Sequence, residues 1–145
     1  MNLTGHWKGK YRYGQGYPAP HFGKSETFEF DIVDQDGTLS GTCIDELVKA
    51  RPGNESYILG TFKQNQIVFK KRYKFHFVFD ETGAMVIDDK LKFDGVDYKG
   101  RLRKRFFTRK VYFSGEWSIT GELKDENNLT QSFVCKGTWK MSKTS

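Results

Sequence analysis

Proline and cysteine are scarce in this chain of 145 residues: Pro18, Pro20 and Pro52 are the only prolines, Cys43 and Cys135 the only cysteines. So little proline excludes a collagen-like or proline-rich rod. Two distant cysteines make no Cys-x-x-Cys pair, which argues against zinc or iron–sulfur ligation and against a disulfide framework. They read as buried free thiols in a reducing compartment. Histidine is limited to His6, His21 and His76, none paired at metal-ligand spacing. By parity His6 and His76 point outward, and His21 sits in a loop. No apolar run approaches the roughly 20 residues that a membrane-spanning helix needs.

The opening Met1-Asn2-Leu3-Thr4-Gly5-His6-Trp7 has neither the basic start nor the apolar middle of a secretory leader. A cytoplasmic location is therefore expected, although a secreted form with its leader removed reads the same. Asn-x-Ser/Thr triplets at Asn2, Asn54 and Asn128 read as chance in that setting. No Gly-x-Ser-x-Gly elbow occurs. Gly14-Gln15-Gly16 follows a strand, but no helix pattern follows it to cradle a phosphate. The adjacent acids Asp88 and Asp89 would point to opposite faces of a strand and read as solvated. No catalytic residue, metal ligand or cofactor is expected, and the chain reads as a non-enzyme.

What the chain has in quantity is flat rings: 13 Phe, 7 Tyr and 3 Trp. It also has 15 Gly. The leading pattern is alternation with period two, the mark of half-buried strands. Trp7, Gly9, Tyr11 and Tyr13 share one face of a first strand, with His6, Lys8, Lys10 and Arg12 on the other. Phe28, Phe30 and Ile32 alternate with Thr27, Glu29 and Asp31. Asp36-Gly37 then turns the chain, a hairpin signal because the turn needs positive φ. Leu39, Gly41 and Cys43 follow, opposite Ser40 and Thr42.

Residues 46–53 read as a loop with room for one helical turn. Strands resume over 55–63, 66–79, 84–92, 96–104, 111–123 and 131–141. Turns are expected at Lys63-Gln64-Asn65, Glu81-Thr82-Gly83, Asp94-Gly95 and Asp125-Glu126-Asn127-Asn128. No stretch holds a 3.6-residue period over three turns. Short turns between successive strands make antiparallel neighbours, and closing such a meander removes its edges.

The expectation is one all-β domain over residues 1–145. It is a closed antiparallel up-and-down barrel of about eight to ten strands, with the first and last paired. The expected interior comprises Trp7, Phe28, Phe30, Leu39, Cys43, Leu59, Phe69, Phe113, Trp117, Ile119, Phe133 and Trp139. Gly-x-apolar repeats at Gly5, Gly41, Gly60, Gly100, Gly115 and Gly137 suit the bends of a small barrel. The tryptophans of the terminal strands would help plug one end.

These motifs resemble the calycin group of lipocalins, fatty-acid-binding proteins and avidins. Gly5-His6-Trp7 is similar to the Gly-x-Trp that begins a lipocalin or avidin barrel. Leu39-Ser40-Gly41-Thr42 after Asp36-Gly37 resembles the second hairpin strand of avidins. Tyr57-Ile58-Leu59-Gly60 followed by Ile67-Val68-Phe69 continues the likeness, which the second half carries only through Gly115-Glu116-Trp117. Gly9 and Cys43 stand where avidins carry ligand-contacting Asn and Tyr, so the resemblance does not imply biotin binding. No lipocalin-type C-terminal helix is found. The tail Trp139-Lys140-Met141 departs from the carboxylate-binding Arg-x-Tyr of fatty-acid-binding proteins. The resemblance implies a calycin-like barrel that binds a small ligand in its mouth.

The expected ligand is small and mainly apolar or aromatic. Candidate ligand-binding residues are Trp7, Tyr11, Phe30, Tyr57, Phe69, Lys71, Tyr73, Tyr98 and Trp117, with the loop Gly14–Lys24, carrying Tyr17, His21 and Phe22, as a lid. Lys71 is the informative one. Alternation puts it on the face of Ile67, Phe69, Tyr73, Phe75 and Phe77, where an ammonium needs an anion. Either a ligand carboxylate supplies that anion, or a bulge at Lys70-Lys71 returns the lysine to water.

Net charge is +6. The excess lies in residues 66–113, which hold 13 basic and 6 acidic side chains against 11 and 12 elsewhere. Lys99–Lys110 contains seven cations, no acid, and Phe106-Phe107. Two alternatives to ligand binding follow. One is an anionic partner such as nucleic acid on this stretch, with cations for phosphates and rings for bases. The other is a barrel packed solid by its rings that serves as an interaction scaffold. Solvated strand faces are the expected account of the charge.

Overall fold

A computed structural model describes residues 1–17, 19–46, 55–73 and 94–144 with their side chains, and the backbone of 77–79, 85–87 and 91–93. The strands are β1 Gly5–Tyr13, β2 Ser25–Gln35, β3 Thr38–Asp45, β4 Glu55–Lys63, β5 Gln66–Tyr73, β6 Phe77–Phe79, β7 Met85–Ile87, β8 Leu91–Phe93, β9 Val96–Lys104, β10 Val111–Lys124 and β11 Thr130–Lys143. There is no α-helix among the described residues. The order β11-β1-β2-β3-β4-β5-β9-β10, together with the β10–β11 pairing, closes eight antiparallel strands into a barrel. First and last strands pair as expected, from Trp7 opposite Lys143 to Tyr13 opposite Gly137. The strands β6 and β7 form a separate two-stranded sheet. The expected loop 47–53, the turn at 81–83, Phe75, His76, Asp88 and Asp89 lie outside the described residues.

The tight turns follow backbone chemistry. At Asp36-Gly37 φ is 53° and 89°, both positive, as a two-residue hairpin loop requires. Gln64 and Asn65 do the same at 52° and 63° without a glycine. Asp125 builds its turn with a side chain, its Oδ1 accepting from the amides of Asn127 and Leu129, each at 2.9 Å.

Asp94-Gly95, expected as a turn, is instead a bulge. Phe93 pairs with Gly121 on β10, and Asp97 pairs with Ser118 on the same strand. Three residues on the β8–β9 side therefore face two on β10, and the strand continues in line rather than reversing. Gly95 takes φ 77° there. A turn and a bulge both ask for positive φ, so the dipeptide alone does not separate them. Asp94 is tied across the barrel wall to Arg72 Nε at 3.0 Å and Lys70 Nζ at 3.2 Å.

Rings fill the interior as a connected stack. Phe69 lies parallel to Tyr98 at 4.6 Å, Phe28 packs on Phe30 at 4.6 Å, and Phe30 meets Phe69 edge-on at 5.4 Å. The tryptophans of the terminal strands, Trp7 and Trp139, do not share one end, contrary to expectation. Trp7 packs on Phe113 at one end, Trp139 packs on Phe69 and Tyr98 in the middle, and Trp117 packs on Tyr13 and Tyr17 at the other. Each indole N–H donates to a backbone carbonyl: Trp7 to Leu3, Trp117 to Arg12, Trp139 to Lys99 and Glu116. Gly137 lies beneath the Trp117 ring, where any Cβ would overlap both that ring and the Arg12 carbonyl. The close approach of a ring is thus a direct reason for a glycine inside a strand.

Parity was misjudged at one strand. Leu59 is 58% exposed, and Ile58 is the buried neighbour. Tyr57-Ile58-Leu59 is apolar on both parities, so it carries no face. The buried Ser56 sets the register, its hydroxyl donating to the Cys43 carbonyl at 3.1 Å. Ile119 and Phe133 are only half-buried, on the far ends of the two 14-residue strands β10 and β11.

Candidate functional site

The two ends of the barrel differ in chemistry. At the end formed by the β2–β3 and β4–β5 turns, Leu3, Trp7, Leu39, Ile67 and Phe113 are buried together, and Phe62 packs on Phe113 at 5.5 Å. Asp34 fastens the N-terminal segment over it. One carboxylate oxygen accepts from the Leu3 amide at 2.9 Å and the other from the Gly37 amide at 2.8 Å. The Asp34 amide in turn donates to the Thr4 hydroxyl at 2.9 Å.

The opposite end is polar. Lys71 and Asp45 are both buried, and the ammonium lies 3.2 Å from each carboxylate oxygen. No bulge interrupts β5: Lys70 and Lys71 keep the β4 register opposite Leu59 and Ile58. Lys71 therefore points inward, as strict alternation demands, and the bulge reading is overturned. The anion beside it is not a ligand carboxylate but Asp45 of this chain. The Tyr73 hydroxyl donates to Asp45 Oδ2, and the Cys43 thiol donates to Asp45 Oδ1 at 3.4 Å. The ammonium also sits over three rings, Tyr73 at 4.9 Å, Tyr98 at 5.2 Å and Tyr11 at 5.4 Å. The Tyr11 hydroxyl lies 3.4 Å from that of Tyr13.

Burial, the largest single influence, pulls the Lys71 pKa down, but the Asp45 carboxylate together with Tyr98 and Cys43 outweighs it and holds the ammonium above the ordinary lysine range. Burial, and then the Asp45 charge, push Tyr11 and Tyr73 well above the ordinary phenol range. Burial also raises Tyr98, against the opposing pull of Lys71. Tyr13, Tyr17 and Cys43 are raised mainly by burial as well. The Lys71 ammonium therefore stays charged and the ring of phenols stays neutral over the whole neutral range.

The loop after β1 lies against this end. Tyr17 packs on Tyr13 at 4.7 Å and on Trp117 at 5.8 Å, and His21 lies 5.8 Å from Tyr13. Backbone bonds pin the loop's two feet, Gly14 N to Lys136 O and Gly23 N to Tyr13 O, each at 2.8 Å. Phe22 faces outward.

Of the nine candidate residues, the fold gathers Tyr11, Lys71, Tyr73, Tyr98 and Trp117 at this end. Phe30 and Phe69 lie deeper in the stack, and Trp7 is at the other end. Tyr57 is 57% exposed on the outer wall, because its neighbour Ile58 takes the inward position. Sequence reasoning missed Asp45. Its signal was the face of Leu39, Gly41 and Cys43 continued by two more residues. No group of three or more His, Cys, Asp or Glu suited to a metal ion occurs among the described residues.

The basic stretch lies elsewhere, on β9 and at the tip of the β9–β10 hairpin. There Arg105 N donates to Lys110 O at 2.8 Å. Phe106 and Phe107 are 89% and 93% exposed, so they are not core.

Set beside known proteins, the chain matches no family model and no curated sequence.

Proposed function

We propose that this barrel is a non-catalytic binder of a small, mainly apolar or aromatic ligand, held in a calycin-like manner between the Lys71–Asp45 cluster and the Gly14–Lys24 loop. One observation carries the reading. Among the described residues, a fully buried ion pair sits at one end of the barrel alone, inside a collar of tyrosines. Taking both charges out of water costs several kcal/mol per ion, and an apolar pair of similar volume would often be as stable or more so. An arrangement that adds little stability yet places polar hydroxyls among ring faces suits recognition. Since Asp45 already balances Lys71, the ligand need not be an acid. Tyr11, Tyr13, Tyr17, Tyr73, Tyr98 and Trp117 supply ring faces, and the phenols supply hydroxyls for one or two polar atoms.

The competing reading is a solid-cored scaffold, which the continuous ring stack around Phe69 favours. Native mass spectrometry of the purified protein separates the two. A mass increment of a small molecule that is lost on denaturation supports the binder. Apoprotein alone, after exposure to a broad set of fatty acids, indoles and flavins, supports the scaffold.

A further inference from the structure

The β9–β10 hairpin ends in a feature that the ligand site does not use. Phe106 and Phe107 stand side by side at its tip, ring centroids 5.1 Å apart at 88°, almost wholly in water. Exposing two adjacent phenylalanines at a tip is costly in water and invites an apolar partner. The tip is also defined rather than loose. Arg105 N donates to Lys110 O at 2.8 Å, Arg109 N donates to Arg105 O at 3.0 Å, and Arg105 lies over the Tyr112 ring at 5.6 Å.

A row that wraps round six of the eight barrel strands, and passes the hairpin at Arg101, is basic. Directly paired residues run Lys10, Lys140, Ser114, Arg101, Gln66, Lys63 across β1, β11, β10, β9, β5 and β4. That row carries four cations and no acid, and Lys10 and Lys140 face each other, which is unfavourable between strands. None of the four, nor Arg103, Lys104, Arg109 or Lys110, has an ion-pair partner among the described residues. Elsewhere Lys8 is matched by Glu29, and Lys70 and Arg72 by Asp94, while Arg12, Lys24, Lys99, Lys124, Lys136 and Lys143 have no ion-pair partner among the described residues either, so it is the density of cations beside the tip that sets this hairpin apart.

We infer that this hairpin docks on an anionic lipid bilayer, with Phe106 and Phe107 entering the interface and the cations beside the tip, Arg101, Arg103, Lys104, Arg109 and Lys110, lying among the headgroups. An apolar peg flanked by basic residues gains from both phases of a membrane surface. A single-stranded nucleic acid fits less well. The two rings meet edge to face rather than presenting parallel faces for successive bases, and Tyr112, the other ring nearby, is covered by Arg105. No helix among the described residues is long and apolar enough to cross a membrane, and surface docking needs none.

Co-sedimentation with phosphatidylcholine vesicles, with and without phosphatidylserine, tests the inference. The protein should sediment with phosphatidylserine vesicles and stay in solution with phosphatidylcholine alone. Phe106→Ser with Phe107→Ser should weaken binding by about tenfold or more. Arg103→Gln and Lys104→Gln should each weaken it by roughly fivefold. All four side chains are exposed, so the variants should keep the wild-type tryptophan emission and melting point. In Phe107→Trp, the new emission should shift to the blue on phosphatidylserine vesicles. Failure to sediment with phosphatidylserine, or unchanged binding by the double phenylalanine variant, overturns the inference. So does salt-sensitive binding of single-stranded RNA with no vesicle binding.

Discussion

Lys71 Nζ lies 3.2 Å from both carboxylate oxygens of Asp45, and neither side chain reaches water. The two come from β5 and β3, with β4 between them, so the pair spans one strand of the wall from the inside. Its energetics are asymmetric. Making the pair brings little net gain, whereas breaking it strands a buried charge.

Lys71→Met should therefore destabilise the protein by about 3–5 kcal/mol. Lys71→Met combined with Asp45→Asn should recover most of that loss, because no charge is then buried and the Tyr73 hydroxyl keeps an acceptor. Urea unfolding of both variants measures this. Equal stability of the single and double variants would mean that the pair is not coupled.

The pH dependence follows from the same cluster. Lys71, Tyr11, Tyr13, Tyr17, Tyr73 and Tyr98 all have folded pKa values raised above their unfolded values. Unfolded lysine and tyrosine titrate near about 10. Below that pH both states hold these protons, and the stabilisation is complete. Above it the unfolded state releases protons that the native state keeps, so stability falls by about 1.4 kcal/mol per group per pH unit. Thermal unfolding should show no change from these groups between neutrality and about pH 9.5, then a steep fall. Absorbance at the phenolate band should show the five tyrosines ionising together with unfolding. Gradual ionisation of these five in a folded protein would contradict their burial.

At the other end, Asp34 joins the N-terminal segment to the β2–β3 turn through the Leu3 and Gly37 amides. Asp34→Ala leaves both donors without their acceptor and should cost about 2–4 kcal/mol. Asp34→Asn keeps one acceptor oxygen and should lose less. Amide hydrogen exchange at Leu3 and Gly37 reports the release directly, and unchanged protection in Asp34→Ala would count against this tie.

The barrel was legible because alternation, two-residue turns and strand count all point the same way. Trp7, Tyr11 and Tyr13 on one face of β1 sufficed to place that strand. Legibility failed where a signal has two structural meanings, as at Asp94-Gly95, or none, as at Tyr57-Ile58-Leu59. The site was half legible. Lys71 stood out by parity, but its partner is 26 residues away and belongs to another strand. Loop length alone suggested Tyr17 as part of a lid, but the contact of its ring with Trp117 is encoded by no local pattern.

The central claim is that the polar end of the barrel receives a ligand, and Trp117 is its built-in reporter. The most direct measurement is a fluorescence titration of wild type, Trp117→Phe and Lys71→Met/Asp45→Asn with the small molecule found bound, or otherwise with an indole or flavin series. Saturable quenching in the wild type, absent in Trp117→Phe and weakened in the double variant, is the predicted result. Equal quenching in all three, or none in the wild type with any compound, would contradict a site at this end.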